Sequence, residues 1–568
     1  MAVIGIDLGT TNSLASVWKE GSPVIIRNSL GTTLTPSVVG VDEDNNVVVG
    51  EVAKERLISH PEKTASEFKR SMGTKKTYIV GGNSFTPEQL SSLVLNKIKE
   101  DAQAFLGEEI TEAVISVPAY FDDCRRNATK QAAEMSGLKV ERLINEPSAA
   151  ALAYMQKHGF EDGTYMVIDF GGGTLDVSMI DSFDSVMEIL AVAGNNQLGG
   201  KDFNTAIYKH FLKENGLAED SLTAEHKASI YKSAEACKIA LSDIPMSIMS
   251  VNISDKSYTL NLDNNSLIKI CHEVFEKIGE PVKRVLRDSH MNINEVKDII
   301  LVGGSCKMPT VAAYLERLTG RKPCTDINPD TAIAVGAGIF AGMKDRNKDF
   351  KDVILTDICP FSLGVAVQDE RTKEVIMDFI IQRNSMLPTS KVHDYYAASE
   401  NQTGVRLRIY QGESIIPSNN IKLGELEFKC PPTKLNGFIV SMRLTYDING
   451  ILVVDATSND KKTYSKVILS ESNTMSEEEL ARRKEELNKL RLAPPDDEKY
   501  QLLIARAERI IEETLSFERR IVSDALMDFK ACLANGNERD IRLLSKKFQH
   551  FLDQMEGLDT GLYEDDEE

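Results

Sequence analysis

The sequence predicts a multidomain α/β + β + α protein, and three observations along the chain support this fold class. Residues 1–350 alternate apolar strand-like runs with helix-like runs, which is typical of α/β layers. Residues 359–472 contain short strand-like runs separated by turn residues, which predicts a β-sandwich. Residues 473–556 carry an amphipathic helical pattern, and the acidic end at residues 557–568 is expected to be solvated.

The composition is that of a globular protein with several folding units. The chain has 568 residues, is 42% apolar and carries a net charge of −20. This charge argues against nucleic acid or an anionic membrane surface as the main partner, and no apolar run approaches the roughly 18 residues of a membrane helix. The eight cysteines include no C-x-x-C motif, and the N-terminus does not resemble a signal peptide. We therefore expect reduced thiols in a cytoplasmic protein without a catalytic zinc ion.

Two further segments connect these regions. A short apolar segment formed by Val353, Ile354 and Leu355 lies within residues 351–358, which we interpret as an interdomain linker. In the C-terminal region, Pro494 and Pro495 interrupt the helical pattern. An apolar stripe follows them, and packing in a helical bundle is its expected role; its members are Leu503, Ala507, Ile510, Ile511, Thr514 and Ile521.

Two glycine-rich turns in the α/β region repeat one pattern. In VIGIDLGTTNSL (3–14) and MVIDFGGGTLDV (166–177), an apolar run is followed by aspartate, an apolar residue and glycine. Each fits a hairpin, and the pair predicts two similar lobes that face one another across a cleft. Glycines let backbone N–H groups approach phosphate oxygens, and carboxylates beside phosphates imply a bound cation. Turn geometry alone is the alternative role of these residues.

A third glycine turn, IILVGGSCKMP (299–309), ends another apolar run and could let a nucleoside lie against the backbone. No G-x-x-x-x-G-K-[ST] motif is present, so the chain is not a P-loop protein.

The ordered motifs of the chain resemble those of the seventy-kilodalton heat-shock protein family, the DnaK-like chaperones. They are GIDLGTTNS, FKRSMG, VISVPAYFDD, RLINEPSAAALAY, VIDFGGGTLDVS, LGGKDFN, ILVGGSCKMP, INPDTAIAVGAG and ILTDICPFSLGV. The segments VILTDICPFSLGV and LTYDINGIL are most similar to those of the HscC branch.

The resemblance implies an actin-like two-lobed ATPase domain, a linker, a peptide-binding β-sandwich and a helical lid. It implies a stress-response chaperone that couples slow ATP hydrolysis to binding and release of extended hydrophobic segments of unfolded polypeptides. ATP, ADP, Mg²⁺ and K⁺ are the cofactors it implies. A J-domain co-chaperone that stimulates hydrolysis and a nucleotide exchange factor are the expected protein partners.

The resemblance also carries catalytic roles onto residues of this chain. Lys69 matches a lysine beside the attacking water and the γ-phosphate, where a fixed cation would stabilise developing charge; a surface lysine is the alternative. Glu146 matches a glutamate that orients the metal shell. Asp7 and Asp169 match aspartates that organise magnesium waters, and Asp176 matches a position near potassium.

The remaining residues of the nucleotide site match by their motifs. Glu235, Lys238 and Ser242 share one predicted helix face, for which a solvated charged face is the alternative. Lys307 stands where many family members carry an arginine against the adenine, and lysine lacks the planar guanidinium. The matched set is Thr10, Thr11, Asn12, Gly171, Gly172, Gly173, Thr174, Gly199, Gly200, Glu235, Lys238, Ser242, Gly303, Gly304, Ser305, Lys307 and Asp330.

Two other sets match the coupling and peptide-binding positions of the family. Pro118 and Arg126 match a relay between the domains, and Val353, Ile354, Leu355 and Asp357 match the coupling strand. Core filling is the alternative role of the groove residues. Gln368 stands where the family usually has a methionine over the peptide, facing Ala398. The groove set is Val365, Val367, Gln368, Tyr395, Ala398, Val405 and Leu407.

Two other functions compete with an ATP-driven chaperone. A sugar kinase would explain residues 1–350, because actin-like lobes also carry kinases, but it gives no purpose to the linker or the sandwich. A non-enzymatic holdase would use ATP only as a switch. The presence of Lys69, Asp7 and Asp169 together favours hydrolysis over this second alternative.

Overall fold

A computed structural model gives the arrangement of most of the chain. The residues it describes are 2–184, 186–253, 256–344, 354–369, 371–447, 451–468, 477–488, 490, 497–514 and 516–556. Val353, the Pro494–Pro495 break and the acidic end at residues 557–568 lie outside the described residues.

The first part of the chain forms a mixed sheet flanked by helices, the first lobe. Its elements are β1 Val3–Asp7, β2 Asn12–Lys19, β3 Ser22–Ile25, β4 Thr35–Pro36, β5 Val38–Val41, β6 Val47–Val49, α1 Glu51–Ser59, β7 Thr64–Ser66, β8 Tyr78–Val80, β9 Asn83–Phe85, α2 Pro87–Leu106, β10 Glu112–Val117, α3 Asp123–Met135, β11 Leu143–Asn145 and α4 Glu146–His158. The strand order is β11-β10-β1-β2-β3, with β4 paired to β2. Strand β1 is parallel to β10 and forms an antiparallel hairpin with β2.

The next part forms a second sheet with its own helices, the second lobe. Its elements are β12 Gly163–Phe170, β13 Leu175–Phe183, β14 Val186–Asn195, α5 Gly200–Glu214, α6 Ala224–Ala240, β15 Met246–Ile253, β16 Lys256–Asp263, α7 Asn264–Ile270, α8 His272–Asp288, β17 Val296–Val302, α9 Pro309–Thr319 and α10 Ala332–Lys344. Strand β12 is parallel to β17 and forms an antiparallel hairpin with β13, so the second lobe repeats the hairpin of the first. Helix α10 returns to pack against β1, β2 and α4 of the first lobe.

Two four-stranded antiparallel sheets follow and enclose a common apolar core. The elements of this β-sandwich and of the strand before it are β18 Ile354–Ile358, β19 Leu363–Gln368, β20 Val375–Ile381, β21 Met386–Leu387, β22 Thr389–Tyr396, β23 Gln402–Gln411, β24 Ile421–Thr433, β25 Phe438–Tyr446, β26 Leu452–Ser458 and β27 Thr463–Ile468. One sheet has the order β20-β19-β23-β24, and the other has the order β22-β25-β26-β27. Apolar residues alternate along strands such as β26, as expected when one face of a sheet meets the core.

Strand β18 joins the second lobe to the sandwich. It pairs in parallel with β14, where Ile354 lies opposite Val186, and antiparallel with β21, where Asp357 lies opposite Leu387. The apolar segment before the sandwich is therefore the edge extension of the sheet of the second lobe, which satisfies backbone groups that a free linker would expose to water.

Polar contacts fix the sandwich against both lobes. The buried carboxylate of Asp123, at the start of α3, accepts a hydrogen bond from the hydroxyl of Tyr446, and its backbone N–H donates to Gln411 Oε1 at 3.1 Å. On the second lobe, Arg383 donates to the two carboxylate oxygens of Asp288 at 3.0 and 2.9 Å. Such bidentate pairs fix orientation as well as distance.

The C-terminal helices are α11 Glu477–Asn488, α12 Glu498–Glu513, α13 Ser516–Asn535 and α14 Glu538–Met555. Helices α12, α13 and α14 form a bundle around Leu503, Ala507 and Ile510, as expected. The single stripe predicted through Ile521 is wrong, because α12 ends at Glu513 and Ile521 belongs to α13. Helical spacing alone cannot reveal the break after α12. There the backbone N–H of Thr514 donates to the Ile510 carbonyl and ends the helix. Among the described helices, none has the length and apolar character needed to cross a bilayer.

Helix α12 packs against the first lobe, on the side of α1. Ala505 of α12 is buried against Val52 and Ala53 of α1. At the start of α12, Glu498 accepts from the Lys97 ammonium at 2.8 Å, and toward its end Arg509 pairs with Glu55. Apolar and ionic contacts together therefore hold the C-terminal helices on the first lobe in this conformation.

The buried position of Asp123 predicts that docking of the sandwich on the first lobe depends on pH. Burial raises the pKa of Asp123 to about 6, whereas an exposed aspartate has a pKa of about 3.9. Docking therefore takes up a proton, and the stabilisation present below the exposed pKa is lost as pH rises through the pKa of the docked state. Energy transfer between fluorophores on the sandwich and the first lobe should report stronger docking at about pH 5 than at about pH 7.5.

The Asp123→Asn variant is the matched control, because the amide keeps an acceptor for Tyr446 but does not titrate. Its docking should be insensitive to pH over this range. A pH response equal to that of the unaltered chain would contradict the assignment to Asp123.

Candidate functional site

A cavity of about 750 Å³ lies between the two lobes, where the two repeated hairpins meet. Its walls come from the turn after β1, the turn after β12, the start of α5, helix α6 and the turn after β17. The residues expected from the sequence that line it are Asp7, Thr10, Thr11, Asn12, Lys69, Glu146, Asp169, Gly171, Gly172, Thr174, Gly200, Glu235, Lys238, Ser242, Gly303, Gly304, Ser305, Lys307 and Asp330.

Three other expected residues lie behind this wall rather than on it. The carbonyl oxygen of Gly173 accepts from Arg70 Nε at 3.1 Å. Gly199 packs so closely that a Cβ on it would lie 2.4 Å from the Gly173 nitrogen. The Asp176 carboxylate accepts the backbone N–H of Tyr120 at 3.2 Å. Gly173 and Gly199 support the second glycine turn, whose residues Gly171, Gly172 and Thr174 line the cavity. Asp176 lies opposite Asp169, which lines the cavity, across the β12–β13 pair.

The two hairpin turns approach each other at Thr11 and Gly172. A Cβ on Gly172 would lie 1.9 Å from Thr11 Oγ1, so only glycine allows this approach. Within the described residues the Thr11 hydroxyl oxygen is buried without a hydrogen-bond partner. A donor held without a partner beside two glycine turns fits the oxygen atoms of a phosphate.

Buried carboxylates are concentrated at the deep end of the cavity. Burial and the neighbouring Glu146 raise the pKa of Asp7 to about 7 and that of Asp176 to about 8. The same two causes raise the pKa of Asp169 well above its usual range. These shifts reflect negative charge that the protein does not fully neutralise, because like charges in a desolvated site disfavour ionisation.

One buried lysine lies among these carboxylates. Lys69 Nζ donates to Glu146 Oε1 at 2.8 Å, and both side chains are 5% exposed. Burial acts to lower the pKa of Lys69, but Glu146 and Asp7 outweigh it and leave the pKa raised. The ammonium group is therefore held in its charged form at a fixed position inside the cavity.

The acidic end of the cavity fits a bound cation. Asp176 Oδ2 is buried without a hydrogen-bond partner among the described residues, and Asp7 Oδ1 accepts only a neutral hydroxyl, that of Ser116 at 2.9 Å. Carboxylate oxygens of this kind are what Mg²⁺ prefers, directly or through its waters. Ser116 was not anticipated from the sequence, although it lies inside the motif VISVPAYFDD, because a serine within a buried strand gives no chemical signal of its own.

The opposite part of the cavity is built from α6 and the turn after β17. Glu235 accepts from Asn204 Nδ2 at 3.1 Å, and Lys238 Nζ donates to the Gly200 carbonyl at 3.1 Å. Burial lowers the pKa of Lys238 to about 8. Ser242 lies just beyond the end of α6 rather than within it, but it still reaches the cavity.

Sequence reasoning missed several residues on this wall, including Ile239, Asp243, Cys306 and Met308. Ile239 lines the cavity one turn after Glu235, and Met308 lies directly after Lys307. The helical spacing of Ile239 from Glu235 could have identified it, whereas Met308 has no such signal.

A hydrogen-bonded network beside the cavity holds strand β18, and it meets the cavity through the peptide bond from Asn145 to Glu146. Asn145, the residue before Glu146, donates from its amide to both carboxylate oxygens of Asp357 at 2.6 Å. Arg126 donates to Asn145 Oδ1 at 2.7 Å. Pro118 contributes its carbonyl to the turn at Phe121, whose own carbonyl accepts from Arg126 at 3.1 Å. Asn145 lies inside the motif RLINEPSAAALAY but was not singled out from the sequence.

Strand β18 carries the other two described residues of the expected coupling set. Ile354 remains 57% exposed, whereas Leu355 is partly buried against the core around Val302. Val353 lies outside the described residues.

The expected groove residues lie in the sandwich, around its core. Val365, Val405 and Leu407 are buried, and Val367 and Tyr395 pack against the same core. The Tyr395 hydroxyl donates to Asp378 Oδ2 at 2.6 Å.

The pair expected to face each other across the groove is bonded locally. Gln368 Nε2 donates to the Lys373 carbonyl at 3.1 Å, and the Ala398 N–H donates to Gln402 Oε1 at 2.9 Å. Each of these bonds stays within its own hairpin.

The acidic cavity predicts an unusual response of stability to pH. In metal-free, nucleotide-free protein, the free energy of unfolding of the two lobes should fall as pH rises through the pKa values of about 7 and about 8 of Asp7 and Asp176. Both pKa values are raised on folding, so the stabilisation present at low pH is lost as these groups ionise. Mg²⁺ should reverse the loss, because it neutralises the ionised form.

Denaturant unfolding with a chelator, at about pH 6 and about pH 8.5, measures this response. The Asp176→Asn variant should show a smaller decline between the two values. A free energy of unfolding that rises over this interval would contradict the assignment.

One comparison with known proteins bears on the whole arrangement. A family model described as Hsp70 protein matches residues 3–80 and 77–525 of this chain. The match includes both glycine turns, strand β18, the sandwich and helices α11 and α12. Members of this family are chaperones and ATPases that use ATP, ADP and Mg²⁺ and bind unfolded polypeptides and co-chaperones. The chain therefore belongs to the Hsp70 family of ATP-dependent chaperones.

Proposed function

We propose that this chain couples hydrolysis of ATP between its two lobes to binding and release of extended hydrophobic peptide segments by the sandwich. The hydrogen bonds of Asn145 carry this proposal. They join Asp357 of strand β18 to the residue next to Glu146, which itself pairs with Lys69 in the cavity. Asn145, which holds strand β18, is therefore the sequence neighbour of Glu146, which lines the nucleotide cavity. A displacement of Glu146 on nucleotide binding would reach the strand that leads into the sandwich.

The cavity supplies what phosphoryl transfer to water requires. Thr10, Thr11 and the second glycine turn hold the phosphates through hydroxyl and backbone donors. Lys69, fixed by Glu146, faces the terminal phosphate and stabilises the charge that develops there. Asp7 and Asp169 would hold Mg²⁺ through its waters, and the ion supplies charge neutralisation for the phosphates. Asp176 would serve K⁺.

The nucleoside occupies the remaining wall. The carboxylate of Glu235 can accept hydrogen bonds from ribose hydroxyls, and Lys238 can donate to them. Gly303, Gly304 and Ser305 bring backbone close to the sugar and base, with Ser305 Oγ held by the Gly171 carbonyl at 2.8 Å.

In the sandwich, Val405 would line the central pocket for an apolar peptide side chain, flanked by Val365, Val367, Tyr395 and Leu407. Gln368 and Ala398 would stand on either side of the peptide. In the conformation described here, Val365, Val405 and Leu407 belong to the sandwich core, and α12 lies on the first lobe. We assign this conformation to the peptide-releasing, ATP-bound state, in which the C-terminal helices are away from the groove. In the peptide-holding state they would return to the groove as a lid.

The finer assignments follow from sequence motifs. We propose that the chain is nearest to the HscC branch of the family, because the segments VILTDICPFSLGV and LTYDINGIL are most similar to that branch. We propose slow hydrolysis that a J-domain partner and peptide stimulate, and a cytoplasmic location. All eight cysteines are free thiols, which fits a reducing compartment.

The Lys69→Ala variant should keep ATP binding but lose hydrolysis. Removal of the ammonium group leaves the transition-state charge without its fixed cation, so the single-turnover rate should fall about 100-fold, which is about 2.7 kcal/mol in the barrier. Single-turnover hydrolysis and equilibrium binding of ATP measure the two quantities separately.

The exposed Lys75→Ala variant, in the loop that follows, is the matched control and should hydrolyse ATP at the rate of the unaltered chain. Unchanged hydrolysis in Lys69→Ala would remove this lysine from the mechanism. Hydrolysis by the unaltered chain that an apolar peptide does not affect would count against coupling.

A further inference from the structure

The β-sandwich has an edge at which side chains join its two sheets. Strand β20 is the outer strand of one sheet and β22 is the outer strand of the other, and the two strands lie against each other. Because they belong to different sheets, no ladder of backbone hydrogen bonds connects these two described strands. Contacts between side chains therefore set the separation of the sheets along this edge.

Asp378 makes the connection from β20. It lies opposite Val365 of β19, and because directly opposite residues share a face, its carboxylate is on the core side of the sheet. Asp378 Oδ2 accepts from the Tyr395 hydroxyl at 2.6 Å and lies 3.1 Å from His393 Nδ1, and both partners belong to β22. One carboxylate oxygen therefore connects the two sheets, and we call Asp378, His393 and Tyr395 the edge tie.

The edge tie lies beside the proposed peptide groove. Val365 and Tyr395 are groove residues that belong to opposite sheets. In this conformation Val365 is buried and Tyr395 packs against the same core, so the protein's own side chains fill the space between the sheets. An apolar peptide side chain can enter only where such contacts part. The edge tie opposes that parting, because Asp378 connects the two sheets next to both groove residues.

His393 makes the strength of the edge tie depend on protonation. Its side chain is 40% exposed, so protons reach it from the solvent. Histidine is the side chain that commonly changes charge between about pH 5 and 8. A hydrogen bond from a charged donor to a carboxylate is about twice as strong as one between neutral groups. The contact between His393 and Asp378 therefore strengthens when the imidazole gains a proton.

The other groups that face His393 do not supply a competing change of charge. Lys391 lies two residues earlier on the same side of β22, and lysine side chains ordinarily keep their charge over this range. Met442, which lies opposite His393 on β25, is uncharged. His393 is also the one histidine of residues 359–472. The pair of Asp378 and His393 is therefore the part of this edge that responds to pH near neutrality.

We propose that Asp378 is a positioning residue that holds the two sheets together beside the peptide groove, and that His393 tightens this connection as pH falls. The inference rests on the proposed function, because it assumes that the sandwich binds peptides. A tighter edge tie makes the groove harder to open, so peptides should associate with the protein more slowly at acidic pH.

Stopped-flow association of a labelled peptide with the full chain tests the inference. The peptide contains apolar and uncharged residues, has blocked ends and carries a dye whose emission does not depend on pH. All chains are saturated with ADP and Mg²⁺ and carry Asp123→Asn, which keeps the docking of the sandwich insensitive to pH. Association should be about 5-fold slower at about pH 5.5 than at about pH 7.5.

Two substitutions in the edge tie should remove this response to pH. His393→Gln removes the titrating group, and Asp378→Asn keeps an acceptor for Tyr395 without the charge. Each variant should associate with the peptide at the same rate at both pH values. Asp394→Asn and His272→Gln are the matched controls and should keep the response. Asp394 is exposed on the opposite side of β22, and His272 lies on α8 of the second lobe.

The outcomes separate this inference from the proposed function. Equal association rates at the two pH values in the chain with an intact edge tie would overturn the inference and leave peptide binding in place. A response to pH that survives in His393→Gln would belong to another group and would overturn the role of His393. Failure of the chain to bind the peptide at either pH would overturn the proposed function together with this inference.

Discussion

Negative charge buried between the two lobes is the constraint on which the rest of the structure depends. Asp7, Asp169, Asp176 and Glu146 all lie there with little exposure to water, and Lys69 is paired with one of them. Burial of ionised carboxylates is costly unless a cation compensates for it. The raised pKa values of the three aspartates express this cost. Binding of a cation together with nucleotide phosphates would therefore change the free energy of this cleft more than it would at a site with balanced charge. This property makes the cleft suitable as a switch.

The position of Glu146 connects this charge to the rest of the chain. It begins helix α4 directly after Asn145, whose amide holds Asp357 in strand β18. Strand β18 in turn extends the sheet of the second lobe and pairs with β21 beside the sandwich. Outside this path, Tyr446 and Arg383 attach the sandwich to the two lobes through Asp123 and Asp288. Polar contacts of this kind suit an interface that must also separate, because their groups can be solvated again by water.

Local patterns in the sequence were sufficient for part of this picture. The D-x-G turns after β1 and β12 were predictable because the same pattern recurs after two buried apolar runs, although turn geometry explains either copy taken singly. The remainder depends on contacts between residues far apart in the chain. From the sequence, Tyr446 is a typical core aromatic, and only the structure shows its hydroxyl donating to Asp123. Likewise, the apolar face of α12 does not reveal that this helix packs on α1. Helical periodicity reports which side of an element is apolar, but not which surface covers it, so the break at Thr514 and the exposed position of Ile239 also required coordinates.

In the proposed function, nucleotide in the cleft controls the docking of strand β18. Hydrogen–deuterium exchange of the backbone amides of residues 354–356 tests it most directly, because these residues pair with β14 when the strand is docked. A chain carrying Lys69→Ala keeps ATP intact during the measurement. We expect slower exchange with ATP than with ADP, and no difference once Asp357→Asn is added. Equal exchange of these amides with ATP and ADP in the Asp357-containing chain would contradict it.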